Sequence, residues 1–436
     1  MIEPRARPGE EPPTPADVLP GEAATLRAAQ AALAGERHGL RALWPFLGPS
    51  FVAAVAYIDP GNFATNIAAG SKFGYLLVWV VVAASLMAML VQTLSAKLGV
   101  ATGQNLAEAC RDTFAKPVSV GLWIQAEVVA MATDIAEVVG AALGIHLIFG
   151  LPLFPAGLIA GAAAFAILGL QRRGFRRLEA VIAVLVGVVA VAFGLQVFVV
   201  APEGAQIARH IVPDLQGRES ILLATGILGA TVMPHVVYLH SALTQNRIVG
   251  RDERERRTIQ RYERIDVIIA MSIAGLVNLS ILAIAAAALY GTGVDEIPAA
   301  HDLLQNREGA GVAFLLGLAL LASGLSSSSV GTMSGQVVMQ GFIRRRIPLF
   351  VRRAVTLAPA LIVIGSGTDP TRALVLSQVV LSFGIPFALI PLIRLTGKRE
   401  LMGTLVNSRP TKVAAVVIAT LIVSLNVVLL AQLALG

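Results

Sequence analysis

Cysteine is nearly absent from this sequence: Cys110 is the only one in 436 residues. A disulfide-stapled secreted scaffold and a multi-cysteine zinc or iron–sulfur site are therefore excluded. Charge is scarce too. Asp, Glu, Lys and Arg make up 14% of the chain, against about 25% in a typical soluble domain. So little charge cannot cover a water-facing surface when 56% of the residues are hydrophobic. Also missing are a His-Glu-x-x-His zinc helix and a Gly-x-Ser-x-Gly elbow, which argues against an enzyme, and nothing calls for a cofactor. What remains is an all-α polytopic membrane protein whose apolar surface faces the lipid bilayer. The net charge of +7 is read as a mark of membrane topology and not of a nucleic-acid partner.

Apolar runs of roughly 20 residues, long enough to cross a bilayer as helices, recur eleven times. Their approximate edges are 47–70, 75–98, 120–143, 152–170, 178–200, 220–243, 266–291, 311–340, 349–367, 373–393 and 413–434. The two longest hold Gly, Ser or Pro clusters, so tilt or a break is expected there. Residues 1–42 read as a mobile cytoplasmic arm, proline-rich at first and alanine-rich after Thr25, with no cleavable signal before the first span. The membrane domain is 43–436.

Alternate connections carry 24 of the 34 Lys and Arg residues, the intervening ones only 5. This asymmetry places the N-terminus in the cytoplasm and, with eleven spans, the C-terminus outside. The run from Arg251 to Arg264 reads as a solvated cytoplasmic loop helix.

Two spans contain a matched device. The first holds Asp59-Pro60-Gly61-Asn62, the sixth Met233-Pro234-His235. A proline within a helix frees the carbonyl four residues earlier, which is Ala56 in one case and Ala230 in the other. Each proline follows a side chain able to ligate a cation, Asp59 or Met233, and the two stand 174 residues apart. Interrupted segments at corresponding positions point to a midplane site between inverted repeats. Helices one to five (about 47–200) then form one repeat, six to ten (about 220–393) the other, and helix eleven (about 413–434) is appended. A lone proline is most often only a kink. An Asp at mid-membrane depth is different, because its insertion costs roughly 2.5–3.5 kcal/mol. The carboxylate, the Asn62 amide and two carbonyls form a hard oxygen cage. The Met233 thioether, a poor ligand for Ca²⁺ and Mg²⁺, shifts the preference to a transition metal.

Helix three holds Glu127, Asp134 and Glu137 in an apolar run. At 100° per residue Asp134 lies about 20° from Glu127 and Glu137 about 60° further round, so the three share one stripe. They read as a proton relay or as partners of buried arginines, with Arg352 and Arg353 at the start of helix nine facing them. His235 beside the break is a second proton carrier, unless it is bonded to a free carbonyl.

The Asp59-Pro60-Gly61-Asn62 and Met233-Pro234-His235 pair resembles the Nramp family of divalent-metal transporters, over nearly the whole chain after residue 42. The stretch Ala322-Ser323-Gly324-Leu325-Ser326-Ser327-Ser328 through Gly335-Gln336 is similar to the family's transport signature. The resemblance implies a LeuT-like fold of 5+5 helices plus one, with helices 1 and 6 of the 11 transmembrane helices broken. It implies proton-coupled import of Mn²⁺ or Fe²⁺ through the bacterial inner membrane, with a monomer sufficient. By motif match the metal ligands are Asp59, Asn62, Met233 and the carbonyls of Ala56 and Ala230, with Gln378 completing coordination in some states. Val236 departs from the pattern, since many members carry Asn after the His. The alternative is a cation-coupled symporter for a small organic solute such as an amino acid. Asp59 would repel the carboxylate of such a solute, and Met233 would have no role.

Overall fold

The structure, a computed structural model, describes residues 20–170, 175–345 and 347–434. Among these every regular element is a helix. That is what lipid demands, since a helix satisfies its backbone N–H and C=O groups within one segment.

The chain opens with α1 (Pro20–Leu33) and α2 (Leu40–Leu43). Next come α3 (Pro49–Ala56), α4 (Pro60–Phe73), α5 (Val78–Thr102), α6 (Leu106–Thr113) and α7 (Lys116–Phe149). Then follow α8 (Leu153–Gly169), α9 (Phe175–Val200) and the short α10 (Gly204–Arg209). A second series holds α11 (Gly217–Thr231), α12 (Pro234–Thr244), α13 (Glu253–Ala288), α14 (Ile297–Glu308) and α15 (Ala310–Ile343). It continues through α16 (Leu349–Gly365), α17 (Pro370–Thr396), α18 (Arg399–Met402) and α19 (Arg409–Ala434).

Among the described residues, eight helical segments are long and apolar enough to cross a membrane: α5, α7, α9, α11 with α12, α13, α15, α17 and α19. The difference from eleven has a physical reason. α8 and α16 have only 17 residues each, and the first expected span is divided into α3 and α4, of 8 and 14 residues. Large apolar side chains such as Val184, Phe198, Leu276, Ile362 and Val413 are exposed on the outside of the bundle. In water such a surface would drive association; here it faces lipid.

Inside, one apolar core runs through α3, α4, α5, α7, α12, α13, α15 and α17. α7 and α15 form its spine. Lipid supplies no hydrophobic drive between helices, so small residues that admit close backbone contact hold them together. Gly324 of α15 is such a residue: a Cβ there would stand 2.6 Å from the Ala141 backbone nitrogen. Gly144 of α7 is the reciprocal case, 2.6 Å from the nitrogen of Leu321.

Three expectations need correction. The serine-rich 311–340 segment is not broken but one continuous α15. Its Ser326, Thr332 and Ser334 hydroxyls donate to carbonyls four residues back, at 2.8, 3.0 and 2.8 Å, so they are satisfied without interrupting the helix. The 266–291 segment is likewise unbroken and starts earlier, because the arginine-rich loop forms the first turns of α13. Of the N-terminal arm, residues 1–19 lie outside the described residues, but α1 is packed and not free. Ala23, Leu26, Ala29 and Ala32 make a buried stripe; Ala29 and Ala32 lie against Phe46, Ile248 and Ile259.

Gly324→Ala should wedge α7 from α15, because the methyl meets backbone that cannot turn aside; about 1–3 kcal/mol of stability should be lost. Gly121→Ala, with open space around it, should not lower stability. Thermal denaturation in detergent checks the contrast. Equal midpoints for the two variants would refute the spine.

Candidate metal centre

Each matched proline ends one helix and begins another. α3 stops at Ala56 and α4 starts at Pro60; α11 stops at Thr231 and α12 starts at Pro234. Both prolines occupy the first helical position, where a missing N–H costs nothing. The residues before them, Asp59 and Met233, are the N-caps. Asp59 Oδ1 accepts a bond from the Asn62 backbone N–H at 2.9 Å, so its carboxylate sits at the positive end of the α4 dipole.

The break exposes backbone that must find partners. The Tyr57 carbonyl accepts from Asn278 Nδ2 at 2.7 Å, and that of Ile58 from Ser323 Oγ at 2.5 Å. The Ala56 carbonyl has no helical donor, because position 60 is proline.

The Asn62 amide joins the two breaks. One of its two terminal atoms lies 2.7 Å from Asp59 Oδ1 and 3.1 Å from the Ala230 carbonyl oxygen, and both of those are acceptors. With the NH₂ on that side, it donates to both. The amide oxygen then lies on the other side, 3.3 Å from Asn278 Nδ2, from which it accepts.

Gln378 reaches the same place from α17. Its Nε2 donates to Asp59 Oδ2 at 3.4 Å, and its Oε1 is without a partner. The approach depends on two glycines. A Cβ on Gly61 would fall 1.8 Å from Gln378 Nε2, and one on Gly229 would fall 2.0 Å from the Gln378 carbonyl oxygen. Asp59, Asn62, Met233 and Gln378 are all fully buried, so the site is closed to solvent.

The acid stripe of α7 faces α16 and α15. Arg352 Nη2 donates to Glu127 Oε2 at 2.8 Å, and Arg353 Nη1 to Asp134 Oδ1 at 2.9 Å. Arg353 also reaches Thr332 and Ser328 on α15. Glu137 has no such partner; both of its oxygens are unbonded. His235 is bonded through Nδ1 to Thr133 Oγ1 on α7 at 3.2 Å, and not to a free carbonyl. Its Nε2 has no partner.

A buried chain of polar groups, not expected from sequence, leads from the first break toward the start of α3. Gln92 Nε2 donates to the Tyr57 hydroxyl at 2.5 Å. Gln92 Oε1 only accepts, so His240 Nδ1 donates to it, at 2.8 Å. His240 Nε2 then accepts from the Ser50 hydroxyl at 3.3 Å. The Ser50 backbone N–H donates to Asp266 Oδ2 at 2.9 Å. Thr231 and Ser323 were also missed as neighbours of the site. Asn278 is a further polar residue at depth, bonded to the broken backbone and to Asn66. Asn426 is bonded between helices to Ser382.

An apolar helical bundle with two interrupted helices, a buried carboxylate and free helix ends at its centre has the architecture of a secondary transporter. The sequence profile for "natural resistance-associated macrophage protein-like" proteins matches residues 50–432. The chain belongs to the Nramp family. It is 56% identical over 407 residues to the divalent metal cation transporter MntH of Bacillus subtilis, covering 93% of this chain and 96% of that one. Its fold superposes on the Eremococcus coleocola manganese transporter with a TM-score of 0.82 at 33% identity, covering 90% of this chain and 88% of that one. Mhp1, a nucleobase-cation-symport-1 family transporter, shares the fold with a TM-score of 0.56 at 16% identity, covering 82% and 81%.

Removing one member of a buried ion pair leaves an uncompensated charge. Arg353→Met should therefore cost about 3–5 kcal/mol, and adding Asp134→Leu should restore most of it. Denaturation midpoints of the two variants test this. A double variant no more stable than Arg353→Met would mean that the pair is not coupled.

Proposed function

We propose that this chain imports divalent transition-metal ions, Mn²⁺ or Fe²⁺, by alternating access with protons as the coupling ion. The metal is cargo and not a cofactor. The observation that carries the reading is the convergence of Asp59 Oδ1, the Asn62 amide and the Ala230 carbonyl oxygen at two helix breaks. The Met233 and Ala56 positions complete a set of one soft and several hard ligands, with Gln378 entering in some states. The divalent-cation and manganese transporters among the similar proteins support the choice of cargo. An organic-solute symporter on the same fold fits less well, because a buried carboxylate at the site repels an anionic substrate.

In this reading α3 with α4, α8 and α16 cross the bilayer together with the eight longer segments, giving eleven spans. Helices one to five and six to ten are the inverted repeats, α19 is the added helix, and α3/α4 and α11/α12 are the broken helices one and six. The protein sits in the bacterial cytoplasmic membrane with its N-terminus inside and its C-terminus outside, and one copy suffices. Protons pass by Asp59, His235 and the α7 stripe of Glu137, Asp134 and Glu127, with Arg352 and Arg353 holding Glu127 and Asp134.

Asp59→Asn should abolish Mn²⁺ uptake into proteoliposomes, measured with and without a pH gradient. A divalent ion in a closed site needs a formal negative charge beside it, and Asp59 is the only acid at either break. Uptake near the wild-type rate would sink the site.

Met233→Ala should change selectivity instead of activity at large. With an all-oxygen cage, Ca²⁺ or Mg²⁺ should begin to compete with Mn²⁺, while Cd²⁺ should lose most affinity. Competition by each ion against Mn²⁺ uptake is the measurement. An equal loss for every ion would make Met233 a packing residue.

A further inference from the structure

The exposed end of α13 carries charge that transport does not use. Arg254, Arg257, Arg261 and Arg264 are all exposed, and at 100° per residue they fall within about 80° of one another. The opposite side of the same turns packs inward: Ile259 and Glu263 are buried, and Tyr262 stacks 4.7 Å from Phe46. None of the four arginines joins an ion pair among the described residues. Arg254, Arg257 and Arg261 flank one open surface with Thr258 and a single carboxylate, Glu253.

The helix then continues unbroken, and the same face carries Ile268, exposed and apolar, with exposed Leu276 two turns further on and about 80° round from it. One line on one helix thus passes from guanidinium groups to lipid-facing side chains. The join marks the membrane surface. At 1.5 Å per residue, Arg264 and Arg261 stand about 6 and 10.5 Å along the axis from Ile268, Arg257 about 16.5 Å and Arg254 about 21 Å. Topology alone asks for positive charge somewhere on this segment. It does not ask for a stripe on the side that faces lipid.

We infer that this stripe binds the headgroup phosphates of anionic phospholipid in the adjoining leaflet. Arg261 and Arg264 form the seat, Arg257 reaches it from above, and Arg254 contributes only through its field. Guanidinium forks suit phosphate oxygens, and the attraction falls off within about a Debye length of the surface.

The test uses the full chain in phosphatidylcholine nanodiscs with a graded fraction of phosphatidylglycerol, reading retained lipid by native mass spectrometry. Each arginine close to the surface is expected to contribute about fivefold. R261Q/R264Q should therefore hold phosphatidylglycerol about thirtyfold more weakly than wild type, and R254Q should lose much less than fivefold. R261K/R264K should retain most of the binding, which separates lost charge from a damaged fold. Excess inorganic phosphate should not displace the lipid. Equal retention by wild type and R261Q/R264Q, an R254Q loss as large as that of the pair, or displacement by inorganic phosphate would each overturn the assignment.

Discussion

A carboxylate kept at the centre of an apolar bundle is the constraint on which the rest of this structure depends. Placing Asp59 there costs roughly 2.5–3.5 kcal/mol for insertion alone. The cost is offset by an N-terminal helix end, and that requires a helix to begin in mid-molecule. Pro60 makes the beginning possible, and in doing so it strands backbone groups upstream. Asn278 and Ser323 answer two of those groups, at 2.7 and 2.5 Å. Polar residues on α13 and α15 are thus consequences of one acid on the first broken helix. The Ala56 carbonyl receives no such donor, because position 60 is proline.

The three acids of α7 show the same accounting carried to different ends. Glu127 and Asp134 are matched one to one by Arg352 and Arg353, so each charge is compensated where it stands. Glu137 is buried with neither a cation nor a hydrogen-bond donor of its own. A side chain left in that condition gains most from a proton or from a passing cation.

The region between the first break and the start of α3 is joined by hydrogen bonds as well as by packing. Tyr57, Gln92, His240, Ser50 and Asp266 pass from one to the next without a gap. Each bond contributes about 0.5–1.5 kcal/mol net, since water can replace either partner. α3 is only 8 residues long and is held both by the Asp266 carboxylate at its N-terminus and by the apolar core along its length.

Composition and spacing in the sequence determined the membrane class, the places where helices are interrupted and the residues that stand there. These are local matters: proline lacks an N–H wherever it occurs, and an Asp between apolar runs is costly in any arrangement. The pairing of α7 acids with arginines more than two hundred residues away was visible as complementary charge sharing a membrane. Only the tertiary structure decided that Arg352 meets Glu127 and Arg353 meets Asp134, leaving Glu137 alone. The continuity of α15 was misjudged, because a serine's choice between its own helix and a neighbour depends on what packs beside it. The packing of α1 was missed for a related reason: its alanine stripe is too weak a signal until Phe46, Ile248 and Ile259 supply the surface it covers. Convergence itself belongs to tertiary structure. Asp59, the Asn62 amide and the Ala230 carbonyl come together only in the folded chain, with glycines at 61 and 229 letting α17 close over both breaks.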